Sequence, residues 1–178
     1  NPDVLKKFVS TLKRHAPALF RRIEMFIYDI QPDDFTGEAE EVLKNRKIII
    51  AYNLRREYLP LLGNLFTEIS TGAQEDILKT INEGPDFNPS TDMTQEQVDK
   101  IRDNWRAMYF GAIKDKLPDP YKKQYQQIID RQGEPYIDDG EIKSWTGGQS
   151  PVTQDELAGM EPEAVIGYLI NYKEPDDP

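Results

Sequence analysis

Apolar side chains recur along this chain at helical rather than strand spacing. Val4, Leu5, Phe8, Val9 and Leu12 fall at the i, i+4 and i+1, i+5 positions of one helix face, with Pro2 in a first turn that tolerates proline. Pro17 separates this segment from a second, whose expected apolar face is Leu19, Phe20, Ile23, Phe26, Ile27 and Ile30. After the breakers Gln31 to Asp34, Thr36 is placed to cap a third helix, with Glu40 and Glu41 in its opening turns. From Val42 to Ile69 the period continues beyond an ordinary helix length. The triplet Ile48 to Ile50 is the strongest strand candidate, but flanking helix formers predict one long helix kinked or broken near Pro60.

Capping signals order the remainder. Thr71 with Gln74, Thr94 with Gln97, and Thr153 with Glu156 have capping-box spacing, and Gly84 and Gly133 are placed as helix stops. Val98, Ile101, Trp105, Met108 and Ala112 mark one face of the helix after Thr94. Leu117 to Pro120 ends that helix, and Tyr121, Tyr125, Ile128 and Ile129 mark the next. A last helix is expected from Pro162 through Val165, Ile166 and Leu169. The pattern predicts an all-α fold, an irregular helical bundle or a short HEAT/armadillo-like array of eight or nine helices. Residues 133–152, rich in Gly, Pro and Asp, read as an ordered loop anchored by Tyr136, Ile137, Ile142 and Trp145. A faint echo between Pro17–Arg22 and Pro118–Lys123 leaves a repeat of helix pairs open.

Composition narrows the chemistry. The 178 residues fit a single domain over 1–172, with a secondary boundary conceivable near 84–93 and an acidic Pro/Asp linker at 173–178. The start at Asn1-Pro2-Asp3 and this tail both read as cuts in a longer polypeptide. With no Cys, disulfides, thiolate metal sites and thiol nucleophiles are excluded, and the single His15 excludes any site that needs two. No apolar run approaches a membrane span, so the expectation is a cytoplasmic protein with no membrane association and no cofactor. Net charge is −10, unevenly spread: residues 1–60 carry 11 Lys/Arg against 9 Asp/Glu, whereas 61–178 carry 11 against 23.

Two constellations have a chemical reading. The basic pairs Lys6-Lys7, Lys13-Arg14 and Arg21-Arg22 recur about every seven or eight residues. A stripe of Lys6, Lys13, Arg14, Arg21 and Arg22 is therefore the candidate phosphate-binding patch of an alternative, nucleic-acid-sensing function. The acidic groups Asp33, Asp34, Glu38, Glu40 and Glu41, and Asp138 to Glu141, have a glycine nearby but lack the alternating spacing of a calcium loop. Pairs such as Asp33 with Glu38, or Asp138 with Glu141, form the basis of a further alternative, a carboxylate enzyme. Gly147-Gly148-Gln149-Ser150 is followed by no Lys-Ser or Lys-Thr, and no serine has a Gly-x-Ser-x-Gly setting. His15 reads as a surface or capping residue.

The run Ser144-Trp145-Thr146-Gly147-Gly148-Gln149-Ser150-Pro151, followed by Glu156-Leu157, Met160, Glu163 and Tyr168-Leu169, resembles a recurrent segment of large bacterial multidomain proteins. There a Trp-x-Gly-x-x-Ser-Pro loop precedes two short helices. Gln74 to Leu78, Ile81 to Pro85, and Trp105-Arg106 leading to Leu117-Pro118 resemble helix-ending patterns of the same group. The resemblance spans roughly 59–170. It implies an α-solenoid-like region beside other domains, NTPase domains of defence or signalling type among them, and carries no catalytic residue. The leading expectation is thus a non-catalytic scaffold or interaction module whose partner is a protein or a neighbouring domain of the same chain. Tyr109, Phe110, Tyr121, Tyr136 and Trp145 are its aromatic candidates, and Tyr121, Tyr136 and Trp145 the preferred ones. Core packing is the competing reading for each.

Overall fold

The computed structural model describes residues 2–14, 18–86, 88–90, 92–135, 153, 156 and 159–171. Among these the fold is all-helical: nine α-helices, two 3₁₀ turns and no strand. The helices are α1 (Pro2–Leu12), α2 (Ala18–Ile30), α3 (Pro32–Leu43), α4 (Arg46–Ile49), α5 (Arg55–Leu65), α6 (Thr71–Glu83), α7 (Gln95–Ala112), α8 (Asp119–Gln132) and α9 (Pro162–Asn171). The chain divides into two compact units, Asn1–Glu24 with Glu141–Pro178, and Met25–Gly140. The first boundary falls within α2, and the connector at 84–93 lies inside the second unit. The tail at 173–178, His15, and most of the 133–152 loop lie outside the described residues.

In the first unit α1 packs on α9, and Lys7 meets Glu163 at 3.4 Å. Val9, Leu12 and Ile166 are buried, while Val4, expected on the inner face of α1, is 52% exposed. Thr153 and Glu156 form the expected reciprocal cap: Thr153 N–H donates to Glu156 Oε2 at 2.8 Å, and Glu156 N–H to Thr153 Oγ1 at 3.2 Å. The bonds that the Glu156 carboxylate accepts from Thr153 N–H and Thr153 Oγ1 hold it below its usual range.

The apolar face expected for α2 splits in two. Phe20, Glu24, Ile27 and Tyr28 are buried at i, i+4, i+7 and i+8, whereas Leu19, Phe26 and Ile30 are exposed on the neighbouring stripe. Two adjacent apolar stripes satisfy the same period, so spacing alone cannot choose between them. The charged Glu24 lies on the buried stripe, where Arg21 donates to it at 2.6 Å.

The second unit is organised around α5, which packs on α3 on one side and α7 on the other, with α8 against α7 and α6 against α4 and α7. The long helix expected over 42–69 is broken twice, and not at Pro60. It stops at Lys44–Asn45, where Asn45 Oδ1 accepts from Lys47 N–H at 3.0 Å and caps α4. It stops again at Ala51, which is extended (φ −74°, ψ 107°) before the 3₁₀ turn Tyr52–Leu54. Each break strands a buried C-terminal carbonyl, and a buried tyrosine from another helix reaches it. Tyr58 Oη donates to the Leu43 carbonyl at 2.7 Å, and Tyr109 Oη donates to that of Ile49. Leu43 and Ile49 are the last residues of α3 and α4. Pro60 is exposed and sits inside α5.

Other departures are local. α3 begins at Pro32 rather than after Thr36. Its backbone kinks at Phe35 (φ −135°, ψ 18°), and Thr36 Oγ1 donates back to the Pro32 carbonyl at 2.9 Å. The cap of α6 is Ser70, one residue before the expected Thr71, and its hydroxyl accepts from Ala73 N–H. Glu40 of α3 completes that cap, accepting from Ser70 N–H at 2.8 Å and Ser70 Oγ at 2.9 Å. The Thr94–Gln97 box forms as expected, and Gly84 (φ 86°) and Gly133 (φ 80°) end α6 and α8 in left-handed backbone. At Gly63, α5 and α7 come so close that a Cβ would lie 2.9 Å from the Ala112 carbonyl oxygen.

Candidate interaction surface

Most of the residues singled out in the sequence have structural work. Tyr109 and Phe110 are buried, and Tyr121 is half-buried with its ring 5.7 Å from Phe110. Tyr109 and Phe110 thus belong to the core, and Tyr121 packs one part of its ring against it. Tyr136 and Trp145 lie outside the described residues. Of the basic stripe, Lys6, Lys13 and Arg14 are exposed, Arg14 donating to Thr11 Oγ1 at 3.0 Å; Arg21 and Arg22 are half-buried, and Arg21 is neutralised by Glu24.

Two of the acids are similarly engaged. Glu40 caps α6, and its bonds from Ser70 keep its carboxyl below the usual range. Glu41 pairs with Lys44 at 2.6 Å, while Asp33 and Glu38 are exposed at the start of α3. Asp138 and Glu141 lie outside the described residues. Among the described residues no group of three or more acids or histidines is placed to hold a metal ion. A cleft of about 290 Å³ between α7 and α8 is lined by Asp99, Asp103, Arg106, Gln124, Gln127, Ile128 and Arg131. Its charges satisfy one another: Asp103 accepts from Arg106 at 3.2 Å and from Arg131, and Arg106 Nε donates to the Asn82 carbonyl at 2.9 Å. This network ties α7, α8 and the end of α6 together.

A surface absent from the sequence-level candidates is built at the second helix break. The 3₁₀ turn after Ala51 carries Leu54 into the core and leaves Tyr52 77% exposed, the most exposed large hydrophobic side chain of the described residues. The Arg55 guanidinium lies over the Tyr52 ring, 4.2 Å from its centroid, within cation–π range. Arg55 Nη1 also points at the Met108 sulfur, 2.9 Å away. Met108 stands three residues after Trp105 and seven after Ile101 on α7, so the face meeting Arg55 also carries half-buried Trp105 and exposed Ile101.

Arg55 differs from the four arginines that the structure places in ion pairs. Arg21, Arg46, Arg106 and Arg131 all sit on carboxylates, Arg46 on two, Glu83 at 2.8 Å and Asp86 at 2.7 Å. Arg55 is half-buried on an aromatic ring and a thioether, and among the described residues no carboxylate stands within ion-pairing distance of it. A partly desolvated guanidinium ordinarily finds a carboxylate, because an ionised acceptor binds its fork far better than sulfur does.

Compared with protein-family models, characterised proteins and solved structures, the chain matches none. Among the described residues no helix is long and apolar enough to cross a membrane.

Proposed function

We propose that this chain is a non-catalytic helical module that binds a protein partner, acting in the cytoplasm as a scaffold or interaction domain of the kind its resemblance to bacterial multidomain proteins implies. The observation that carries this reading is the Tyr52–Arg55 pair: an aromatic ring left in water and stacked with a guanidinium that has no carboxylate partner among the described residues. Tyr, Trp and Arg dominate the energetics of protein interfaces, because each offers a large rigid contact with a polar end. Here Tyr52, Arg55 and Trp105 lie on adjoining helical faces. Two acids of the first cluster, Glu40 and Glu41, serve as a cap and an ion pair, which supports the non-catalytic part.

The test is affinity capture from lysate of the source organism with immobilised wild-type chain and Tyr52→Ser side by side, each with and without nuclease. A protein retained by the wild type in both arms and lost with Tyr52→Ser is the expected result. Retention that disappears with nuclease would replace this reading with nucleic-acid sensing. Retention indifferent to Tyr52→Ser would remove the surface from consideration.

A further inference from the structure

Resting on the reading of the Tyr52 face as a protein-binding surface, we infer that its partner is an acidic peptide segment with an aromatic or apolar anchor, whose carboxylate completes the shell of Arg55. The anchor would pack on the open face of Tyr52 and on Trp105.

Charge points to this chemistry. The chain as a whole is at −10, yet from residue 42 to residue 67 Glu57 is the only acid, while Lys44, Arg46, Lys47, Arg55 and Arg56 fall in the same stretch. Lys44 and Arg46 are spent on Glu41, Glu83 and Asp86. Lys47 and Arg56 are exposed and, like Arg55, have no carboxylate partner among the described residues. Three unmatched cations therefore cluster in sequence around an exposed ring on a protein dominated by acid.

Geometry adds selectivity. Arg55 is held from below by Tyr52 and from the side by Met108, and its other donors meet no protein acceptor among the described residues. A guanidinium already stacked and oriented loses little further freedom when a carboxylate docks on its fork. A nucleic acid suits the surface less well. Its dense charge is repelled by the net −10 over long distances, whereas a few carboxylates on a short segment feel mainly the local cations.

The experiment pans short random peptides displayed on phage against the full chain, with Tyr52→Ser and Arg56→Glu as counter-selected baits. Both substituted side chains are exposed, and unchanged thermal melting would show that the variants fold. An enriched peptide is then titrated by fluorescence anisotropy. The expected result is enrichment of Asp/Glu residues flanking an aromatic or large apolar one. Affinity should weaken about tenfold or more with either variant, and weaken further as salt rises. Enriched peptides that depend on Tyr52 but show no acidic excess would overturn the acidic partner while leaving the protein-binding reading intact. No Tyr52-dependent enrichment at all would overturn both. Tyr52-dependent binding of single-stranded oligothymidylate in place of peptide would also overturn the inference and assign the surface to nucleic acid.

Discussion

Removing one hydroxyl from the core tests how the broken helices are held. Tyr58→Phe keeps ring and volume but deletes the only donor on the Leu43 carbonyl among the described residues, since the backbone N–H one turn on, Lys47, is taken by Asn45 Oδ1. Tyr58 is fully buried and Leu43 equally so, which keeps water from substituting readily. Losing a hydrogen bond and stranding a buried carbonyl costs about 1–3 kcal/mol. Tyr109→Phe does the same to Ile49, where the extended Ala51 prevents the helix from supplying its own next donor. For a chain of this length the corresponding drop in Tm is about 3–10 °C. The rings lie 5.9 Å apart, so the double variant should depart from additivity. Urea unfolding followed by far-UV circular dichroism and by tryptophan fluorescence gives the free energies. Trp105, one of the chain's two tryptophans, lies 4.3 Å from the Tyr109 ring and contributes a local signal. Tyr52→Phe, on an exposed ring, is the control and should stay within about 0.5 kcal/mol of wild type. If Tyr58→Phe also does, with the same dependence on urea, the hydroxyl does not hold the end of α3 and the account of the break is wrong.

The same tyrosines set an alkaline limit. Burial pushes the Tyr109 hydroxyl up to about 12 and the Tyr58 hydroxyl well above its ordinary value. Both stay protonated in the fold while they ionise in the unfolded chain, so stability should fall above about pH 10 by roughly 1.4 kcal/mol per pH unit for each. Melting curves at rising pH check this, and the double phenylalanine variant should lose that part of the slope. Glu40 acts in the opposite range: its carboxyl is held low by Ser70, so its contribution is present above the usual carboxylate value and lost as pH falls through the depressed one. Melting of Glu40→Gln should accordingly be less sensitive to acid than wild type. Gly63→Ala should destabilise by about 1–3 kcal/mol, because its new methyl meets the Ala112 backbone at 2.9 Å and α5 and α7 must part. A melting temperature unchanged from wild type would contradict that close approach.

Helical class, the stops at Gly84 and Gly133, and the caps at Thr94 and Thr153 were legible in the sequence, because each rests on interactions within a few residues. What failed was decided at longer range. The period from 42 to 69 predicts one helix, but the chain breaks at Asn45 and Ala51, where Tyr58 and Tyr109 cover the stranded carbonyls from 15 and 60 residues away. Two equivalent apolar stripes on α2 were separated only by packing, which buries the one carrying Glu24. The cap of α6 shifted to Ser70 because Glu40, on another helix, reaches it. The candidate surface follows from the same cause. Nothing local distinguishes Tyr52 from the neighbouring helix formers until the break at Ala51 turns it outward beneath Arg55. Periodicity and capping thus determined which segments are helical, through contacts between near neighbours. Where the helices break, which face they bury and which ring stays in water were settled by side chains distant in sequence, whose hydrogen bonds and packing exist only once the helices have assembled.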